Sequence, residues 1–427
     1  MSDRIITPKR RISGEISVPG DKSISHRALI LAALAEGETR IKGLSSARDV
    51  ESTRKCLRDL GVRMKKDRKG LVVSGKGKYG FTKPKKVIDA GNSGTTIRLL
   101  SGILAAQNFA TTISGDASLR NRPMRRIIEP LENMGAHIES AAYKAPLTIH
   151  GGPLRSIDYA STIASAQVKS CVLLAGLYAN GITRITEPSP SRDHTERMLE
   201  AFGVQAQYSQ GGAGVKGPAN LRATEIIVPG DISSAAFFLV AASLLPDSEI
   251  TLINVGVNPT RLGIYDALLA MKALIHMDPA EVINMEPRTT ITARSSRLHG
   301  ASLAGSMIPR IIDEIPILAI AATQAQGTTT IRDAAELRIK ESDRIAAVAT
   351  NLQKMGANVR ETKDGLIING PTPLRGAQID SYNDHRIALS FAIAALIAQG
   401  ETTIKGADCV DISFPGFFQL LDQMCHD

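Results

Sequence analysis

Four short stretches bring cations, small polar residues and carboxylates together where apolar helical runs begin. The first is Asp21-Lys22-Ser23-Ile24-Ser25-His26-Arg27. There Ser23 can cap a helix, and Lys22 and Arg27 can reach its mouth, where backbone N–H groups favour anions. The second is Gly91-Asn92-Ser93-Gly94-Thr95-Thr96, followed by Arg98. Its two glycines let the backbone come close to a ligand, although the spacing is neither a P-loop nor a dinucleotide fingerprint. Downstream, Arg120-Asn121-Arg122-Pro123-Met124-Arg125-Arg126 clusters four arginines, whose forks match carboxylates and phosphates. In the third, Asp313-Glu314 accompanies Lys340-Glu341-Ser342-Asp343-Arg344. On a helix this spacing puts Lys340 and Arg344 one turn apart on one face, with Glu341 beside Lys340. Asp313 and Glu341 then become carboxylates held among cations, suited to moving a proton in either direction. The fourth, Asn383-Asp384-His385-Arg386, adds a histidine that reads equally as a cap or a core residue.

Each stretch taken alone is also compatible with an ordinary cap, a solvated loop or a surface charge ladder. What joins them is a repeat. Each unit has a polar turn, an apolar helix, a Thr/Ile-rich strand and a second, amphipathic helix. Taking Ser23, Ser93, Ser165, Ser233, Glu314 and His385 as equivalent points, the separations are 70, 72, 68, 81 and 71 residues. Six units account for nearly the whole chain. The first helix of a unit is apolar almost all round, as in Ala28–Leu34, which predicts a buried helix. In the third unit Met198, Leu199 and Phe202 share one face of the second helix, and Glu196, Arg197 and Glu200 are expected to point elsewhere. Thr39–Ile41, Thr183–Ile185, Thr328–Ile331 and Thr402–Ile404 have strand composition.

The motif VPGD occurs at Val18–Asp21 and again at Val228–Asp231, opening the first and fourth units. It divides the six repeats three and three. Residues 20–228 are expected to form one domain; 1–19 with 229–427 form the other, the amino-terminal strand joining the carboxy-terminal repeats. The two VPG segments would link them, and a cleft between domains is the expected ligand site. It would gather Lys22, Arg27, Arg122, Lys340, Arg344 and Arg386 around ligands carrying several negative charges.

Composition narrows the function classes. The chain has 427 residues, 43% hydrophobic and 22% charged, values of a folded soluble protein rather than a disordered or fibrous one. No uncharged apolar run approaches the roughly 20 residues that cross a bilayer. The start MSDRIITPKRR is charged from its third residue, unlike a secretory signal, and a cytosolic location is expected. Four cysteines lack metal-ligand spacing and are read as reduced thiols. The net charge of +9 fits several anionic partners, but Trp is absent and aromatics are only 4%, which argues against stacking platforms for nucleic acid. The basic runs at Lys9–Arg11, Arg63–Lys69 and Lys83–Lys86 read as solvated surface.

The motifs PGDKSISHR (Pro19–Arg27), DAGNSGTTIRLL (Asp89–Leu100), RPM (Arg122–Met124), SAQVKS (Ser165–Ser170), DEIP (Asp313–Pro316), RIKESDR (Arg338–Arg344), DHR (Asp384–Arg386) and FPGF (Phe414–Phe417) run in order along the chain. With them the sequence resembles the 5-enolpyruvylshikimate-3-phosphate synthases of the enolpyruvyl transferase family. The resemblance implies a two-domain inside-out α/β barrel built from six βαβαββ repeats, three per domain, closing on ligands. It implies a monomeric transferase acting on phosphoenolpyruvate and shikimate 3-phosphate in the route to aromatic amino acids, with no metal or organic cofactor and no nucleic-acid or membrane partner. Catalysis would fall to Lys22, Asp313 and Glu341. Shikimate 3-phosphate would bind at Lys22, Ser23, Arg27, Ser165, Ala166, Gln167, Arg192, Asp313 and Lys340. Phosphoenolpyruvate would bind at Lys22, Gly94, Arg122, Gln167, Arg344 and Arg386, with Asn92, Thr95 and His385 in support. Arg192 stands where another branch of the family has tyrosine, and Ile412 where some members have lysine. Gly94 is the position at which glycine leaves room for the inhibitor glyphosate.

Two other readings compete. The sister transferase acting on UDP-N-acetylglucosamine carries a reactive cysteine in the loop matching Ser114–Arg122, and ISGDASLRNR has none. A non-catalytic anion- or RNA-binding repeat protein would explain the charge and the repeats, but not Asp313 and Glu341.

Overall fold

The apolar runs form the helices Lys22–Leu34, Gly94–Leu104 and Ala166–Gly176, and then Ile232–Leu244, Ile315–Gln324 and His385–Leu396. A helix apolar on every side stays out of water only when other elements surround it. In the computed structural model, which describes residues 2–209 and 211–426, these six are buried along nearly their whole length. The chain divides into two units: unit 1 comprises Met1–Pro19, Gly230–Glu281 and Pro287–Asp427, and unit 2 comprises Gly20–Pro229 and Val282–Glu286. Each unit has its own hydrophobic core, with three of the helices packed on one another inside it.

The second repeat shows the unit in full. Strand Ile88–Asp89, helix Gly94–Leu104, strand Ala110–Ser114, the short helix Ala117–Asn121, helix Arg125–Asn133 and the hairpin His137–Ala141/Lys144–His150 follow in order. The first two strands pair parallel, as the intervening crossover helix requires, and the hairpin adds antiparallel to the second. Sheets of this kind recur six times, one per repeat, and among the described residues they stay separate rather than closing into a barrel. Buried helices with sheets outside them make each unit an inside-out α/β arrangement. The Thr/Ile-rich segments all lie within strands: Glu38–Lys42, Gly181–Thr186, Gly327–Ile331 and Thr402–Lys405.

Two repeats take their first strand from a distant part of the chain. Arg11–Ile16 pairs parallel with Glu249–Gly256 in unit 1, and Glu225–Ile227 pairs parallel with Glu38–Lys42 in unit 2. The VPG motif serves this exchange. A Cβ on Gly20 would sit 1.8 Å from the carbonyl oxygen of Gly43, so only glycine fits there. The FPGF motif is structural as well: Phe414 and Phe417 are buried, 5.3 Å apart between ring centroids, against Phe238 in the unit 1 core.

Several expectations need correction. Val282–Glu286 and Pro229 cluster with unit 2, whereas the sequence reading ran 229–427 as one stretch. The physical reason is local: Asn284 accepts from the Ile227 N–H and donates to the Glu225 carbonyl, and Glu286 lies 2.7 Å from His194 Nδ1. Asp21, not Ser23, caps the first helix by accepting from the Ile24 N–H. Lys340 and Arg344 share no helix. A 3₁₀ turn ends at Ile339, and a new helix, Arg344–Lys354, starts under the Asp343 cap. Glu196 points inward and is buried, because a lysine meets it there.

Candidate functional site

In unit 2 the side chains singled out from sequence converge around three helix starts. Lys22, the first residue of its helix, makes a 3.1 Å ion pair with Asp49. One turn on, Arg27 is buried and uses its whole fork. Nε donates to Thr195 Oγ1 at 2.7 Å, Nη1 to the Ser23 carbonyl at 2.9 Å and Nη2 to Ser170 Oγ at 2.7 Å. Burial draws the guanidinium down to about 10; Glu196 opposes the fall and the positive Arg192 adds to it, so Arg27 remains a cation at neutral pH.

The second helix start holds Gly94 under the Ser93 cap, and the third holds Ala166 under Ser165. Gln167 ties them together, accepting from Arg98 Nη1 at 2.6 Å and donating to Thr95 Oγ1 at 2.9 Å. Asn92 accepts from Arg122 Nη2 at 2.7 Å and donates to Asp116. A Cβ on Gly94 would lie 2.8 Å from Arg98 Nη1 and 3.3 Å from Arg122 Nη1. Two guanidinium groups thus crowd a helix N-terminus, an arrangement that attracts a carboxylate or phosphate. Of the four clustered arginines Arg122 takes this place, whereas Arg125 is exposed and pairs with Glu129.

Behind these groups lie two polar networks. His26 Nδ1 contacts Thr53 Oγ1 at 2.7 Å, Thr53 contacts Thr96, and Thr96 Oγ1 donates to Ser93, linking three helices. Burial pushes the His26 imidazole well below 6.5, and Lys22 and Arg27 push the same way, so it stays neutral. The other network centres on buried Lys169, whose Nζ lies 2.9 Å from Glu196 and 3.2 Å from Glu187, and donates to the Ser191 carbonyl. Glu187 also accepts from the Ser165 N–H and the Ser191 hydroxyl, and so holds the third helix start and the loop leading to Arg192. The two carboxylates hold the ammonium above its ordinary value against the opposing pull of burial. Burial in turn raises the Glu196 carboxyl, which Lys169 lowers only in part, because one ammonium serves two anions.

Unit 1 carries a second constellation. Arg344, 1% exposed, donates through Nε to Asp384 at 2.8 Å, through Nη2 to Glu341 at 2.7 Å and through Nη1 to Asp313 at 3.3 Å. Burial alone would weaken its charge, but Asp384, Glu341 and Asp313 more than offset this and hold the guanidinium above its ordinary value. Arg386 donates to the Asp313 carbonyl at 3.0 Å, and Arg261 Nη1 lies 3.8 Å from Asp313. Glu314 accepts from Ser233, and Arg261 also reaches Ser233 and Asp231. His385, buried, is the first residue of the helix capped by Asp384. Lys340 stands apart from Arg344 and pairs with Glu336 at 3.7 Å. The carboxylates differ in exposure: Glu314 and Asp384 side chains are 1% and 0% exposed, Asp313 and Glu341 16% and 22%.

Of the residues singled out from sequence, Lys22, Ser23, Arg27, Asn92, Gly94, Thr95, Arg122, Ser165, Ala166, Gln167 and Arg192 lie on unit 2, and Asp313, Lys340, Glu341, Arg344, His385 and Arg386 on unit 1. Sequence reasoning gave no site role to Arg98, Lys169, Glu187, Glu196, Arg261 or Asp384, although Arg98 and Asp384 stand in the stretches singled out. Repeat equivalence was the available signal for one of them. Asp21, Asp231 and Asp384 cap their helices at matching points, and Asp384 therefore belongs with the chemistry-bearing turns.

A family model described as EPSP synthase (3-phosphoshikimate 1-carboxyvinyltransferase) matches residues 6–421. The 3-phosphoshikimate 1-carboxyvinyltransferase of Synechococcus sp. (strain JA-3-3Ab) is 53% identical, with 98% of this chain and 96% of that protein covered. That of Bacillus cereus (strain AH187) is 49% identical, with 99% and 100% covered. The solved EPSP synthase from Acinetobacter baumannii aligns with a TM-score of 0.89 at 42% identity, covering 99% of this chain and 98% of that one. Sequence likeness from end to end and a common fold lead to one conclusion: the chain belongs to the EPSP synthase family.

Proposed function

We propose that the chain transfers the enolpyruvyl group of phosphoenolpyruvate to the 5-hydroxyl of shikimate 3-phosphate and releases inorganic phosphate, a step of aromatic amino acid biosynthesis. The hydroxyl oxygen bonds to C2 of phosphoenolpyruvate as its proton leaves and C3 gains one, giving a tetrahedral ketal phosphate. The C2–O bond to phosphate then breaks as C3 loses a proton and the double bond returns. The reaction therefore needs groups that exchange protons in both directions, and cations for a phosphate and a carboxylate on one substrate and the same pair on the other.

The observation that carries this reading is the exposure contrast around Arg344. One guanidinium holds four carboxylate oxygens of Asp313, Glu341 and Asp384, and of these residues Asp313 and Glu341 keep a face open to a ligand. Asp313 then takes the hydroxyl proton, Glu341 serves C3, and Lys22 neutralises the departing phosphate oxygen. Shikimate 3-phosphate is held by Ser23, Arg27, Ser165, Ala166, Gln167, Arg192 and Lys340. Phosphoenolpyruvate is held by Lys22, Gly94, Arg122, Gln167, Arg344 and Arg386, with Asn92, Thr95 and His385 in support. The same reading makes the protein a cytosolic monomer.

The test is phosphate release in chelator-treated buffer, which must require both substrates. Asp313→Ala and Glu341→Gln should each lower kcat by about 10²-fold or more while circular dichroism stays unchanged. Near-normal turnover in either variant removes that residue from the mechanism.

A further inference from the structure

A separate group of ligating side chains lies on the outer face of the second repeat's hairpin in unit 2. The register pairs His137 with His150 and Glu139 with Thr148. Alternation buries Ile138, Leu147 and Ile149 and turns His137, Glu139 and His150 outward. The two imidazoles stack with centroids 4.6 Å apart and planes 19° from parallel, and His150 Nε2 lies 2.9 Å from Glu139 Oε1. One ligating atom from each of the three residues falls within 4.8 Å of the other two.

We propose that His137, Glu139 and His150 form a binding site for a late first-row divalent cation, zinc in the first instance, with two imidazole nitrogens and one carboxylate oxygen as ligands and water completing the shell. The donor set selects the metal. Imidazole with carboxylate suits zinc and its neighbours, whereas calcium and magnesium take oxygen donors. Tetrahedral zinc with bonds of roughly 2.0–2.1 Å needs donors about 3.4 Å apart. Side-chain rotation on an exposed face closes the difference without backbone movement, because adjacent strands in fixed register supply all three groups. The two-residue turn Ala142-Tyr143, with φ of 50° and 55°, closes the hairpin, and an irregularity between Glu139 and Ala141 shifts the pairing so that Glu139 lies opposite Thr148 and His137 opposite His150. Binding exchanges the Glu139–His150 contact for two metal bonds, and any proton on the ligating nitrogen passes to solvent. The bound ion clips the two strands together across the sheet. None of the three residues belongs to the constellations assigned to the transferase reaction.

The experiment is calorimetric titration of zinc chloride into the chelator-stripped full chain, beside His137→Ala, His150→Ala and Cys425→Ser. Wild type and Cys425→Ser should bind one equivalent with the same affinity, and each histidine variant should bind at least about ten-fold more weakly. Cobalt(II) in the same site should give the visible bands of a tetrahedral nitrogen–oxygen set, and phosphate release by the histidine variants should match wild type. Equal zinc affinity in all four proteins, absence of binding to wild type, or a thiolate charge-transfer band with cobalt overturns the proposal.

Discussion

Replacing Lys169 by methionine tests whether a buried charge network holds the unit 2 helix starts in place. The ammonium lies 2.9 Å from Glu196 and 3.2 Å from Glu187, and all three residues are buried. At an effective dielectric of about 20, Coulomb's law assigns these contacts about 6 and about 5 kcal/mol. Removing the lysine also recovers the several kcal/mol that its own desolvation costs, so the net loss should be about 3–5 kcal/mol, the usual penalty for stranding a buried charge. The Glu196 carboxyl is already raised by burial, and Lys169 is what limits that rise. In the variant the folded state therefore holds a proton that the unfolded chain releases near pH 4.3. A raised carboxyl of this kind weakens the fold increasingly as pH rises above the unfolded value, so the deficit of Lys169→Met should shrink as pH falls toward 5. Urea unfolding followed by a unit 2 probe, at pH 7.5 and at pH 5.5, measures both effects. The double variant Lys169→Met/Glu196→Gln should regain part of the loss, because glutamine is neutral without taking up a proton on folding. A single variant within about 0.5 kcal/mol of wild type at pH 7.5 would refute the reasoning, since a change that small is typical of a surface position.

Two further outcomes follow from the same geometry. Gly94→Ala places a methyl group 2.8 Å from Arg98 Nη1 and 3.3 Å from Arg122 Nη1, and should weaken inhibition by glyphosate more than it raises the KM for phosphoenolpyruvate; inhibition constants equal to wild type would show that the crowding is harmless. His26 is held neutral below 6.5 while the unfolded chain is protonated, so its contribution is complete above about pH 6.5 and is lost as pH falls, at up to about 1.4 kcal/mol per pH unit. His26→Asn, which keeps an amide near Thr53, should flatten stability between pH 6.5 and 5, and parallel pH curves for variant and wild type would count against a neutral buried histidine.

Much of the candidate site was legible because turn chemistry is local. Polar residues opening apolar runs marked Ser23, Ser93, Ser165, Ser233, Glu314 and His385 near true helix starts, and period-matching aligned them before any contact was known. Where the reading erred, the deciding partner was distant in sequence. Glu196 looks like a solvated helix residue until Lys169, 27 positions earlier, is placed against it. Arg98 looks like one basic residue in an apolar helix until Gln167 accepts its hydrogen bond. The break between Lys340 and Arg344 is equally invisible in an i,i+4 spacing, because it arises from the Asp343 cap and from carboxylates at positions 313 and 384 drawing Arg344 inward.

By itself, then, the order of residues determined the six-fold repeat, the buried helices, the strand segments and the turns that carry chemistry. These depend on side-chain periodicity and on backbone preferences within a few residues. Tertiary structure alone decided which charges meet, which carboxylates stay open to a ligand and which strand completes each sheet. Those outcomes turn on the cost of leaving a charge or a backbone group unpaired away from water, and that cost exists only once distant segments have closed over it.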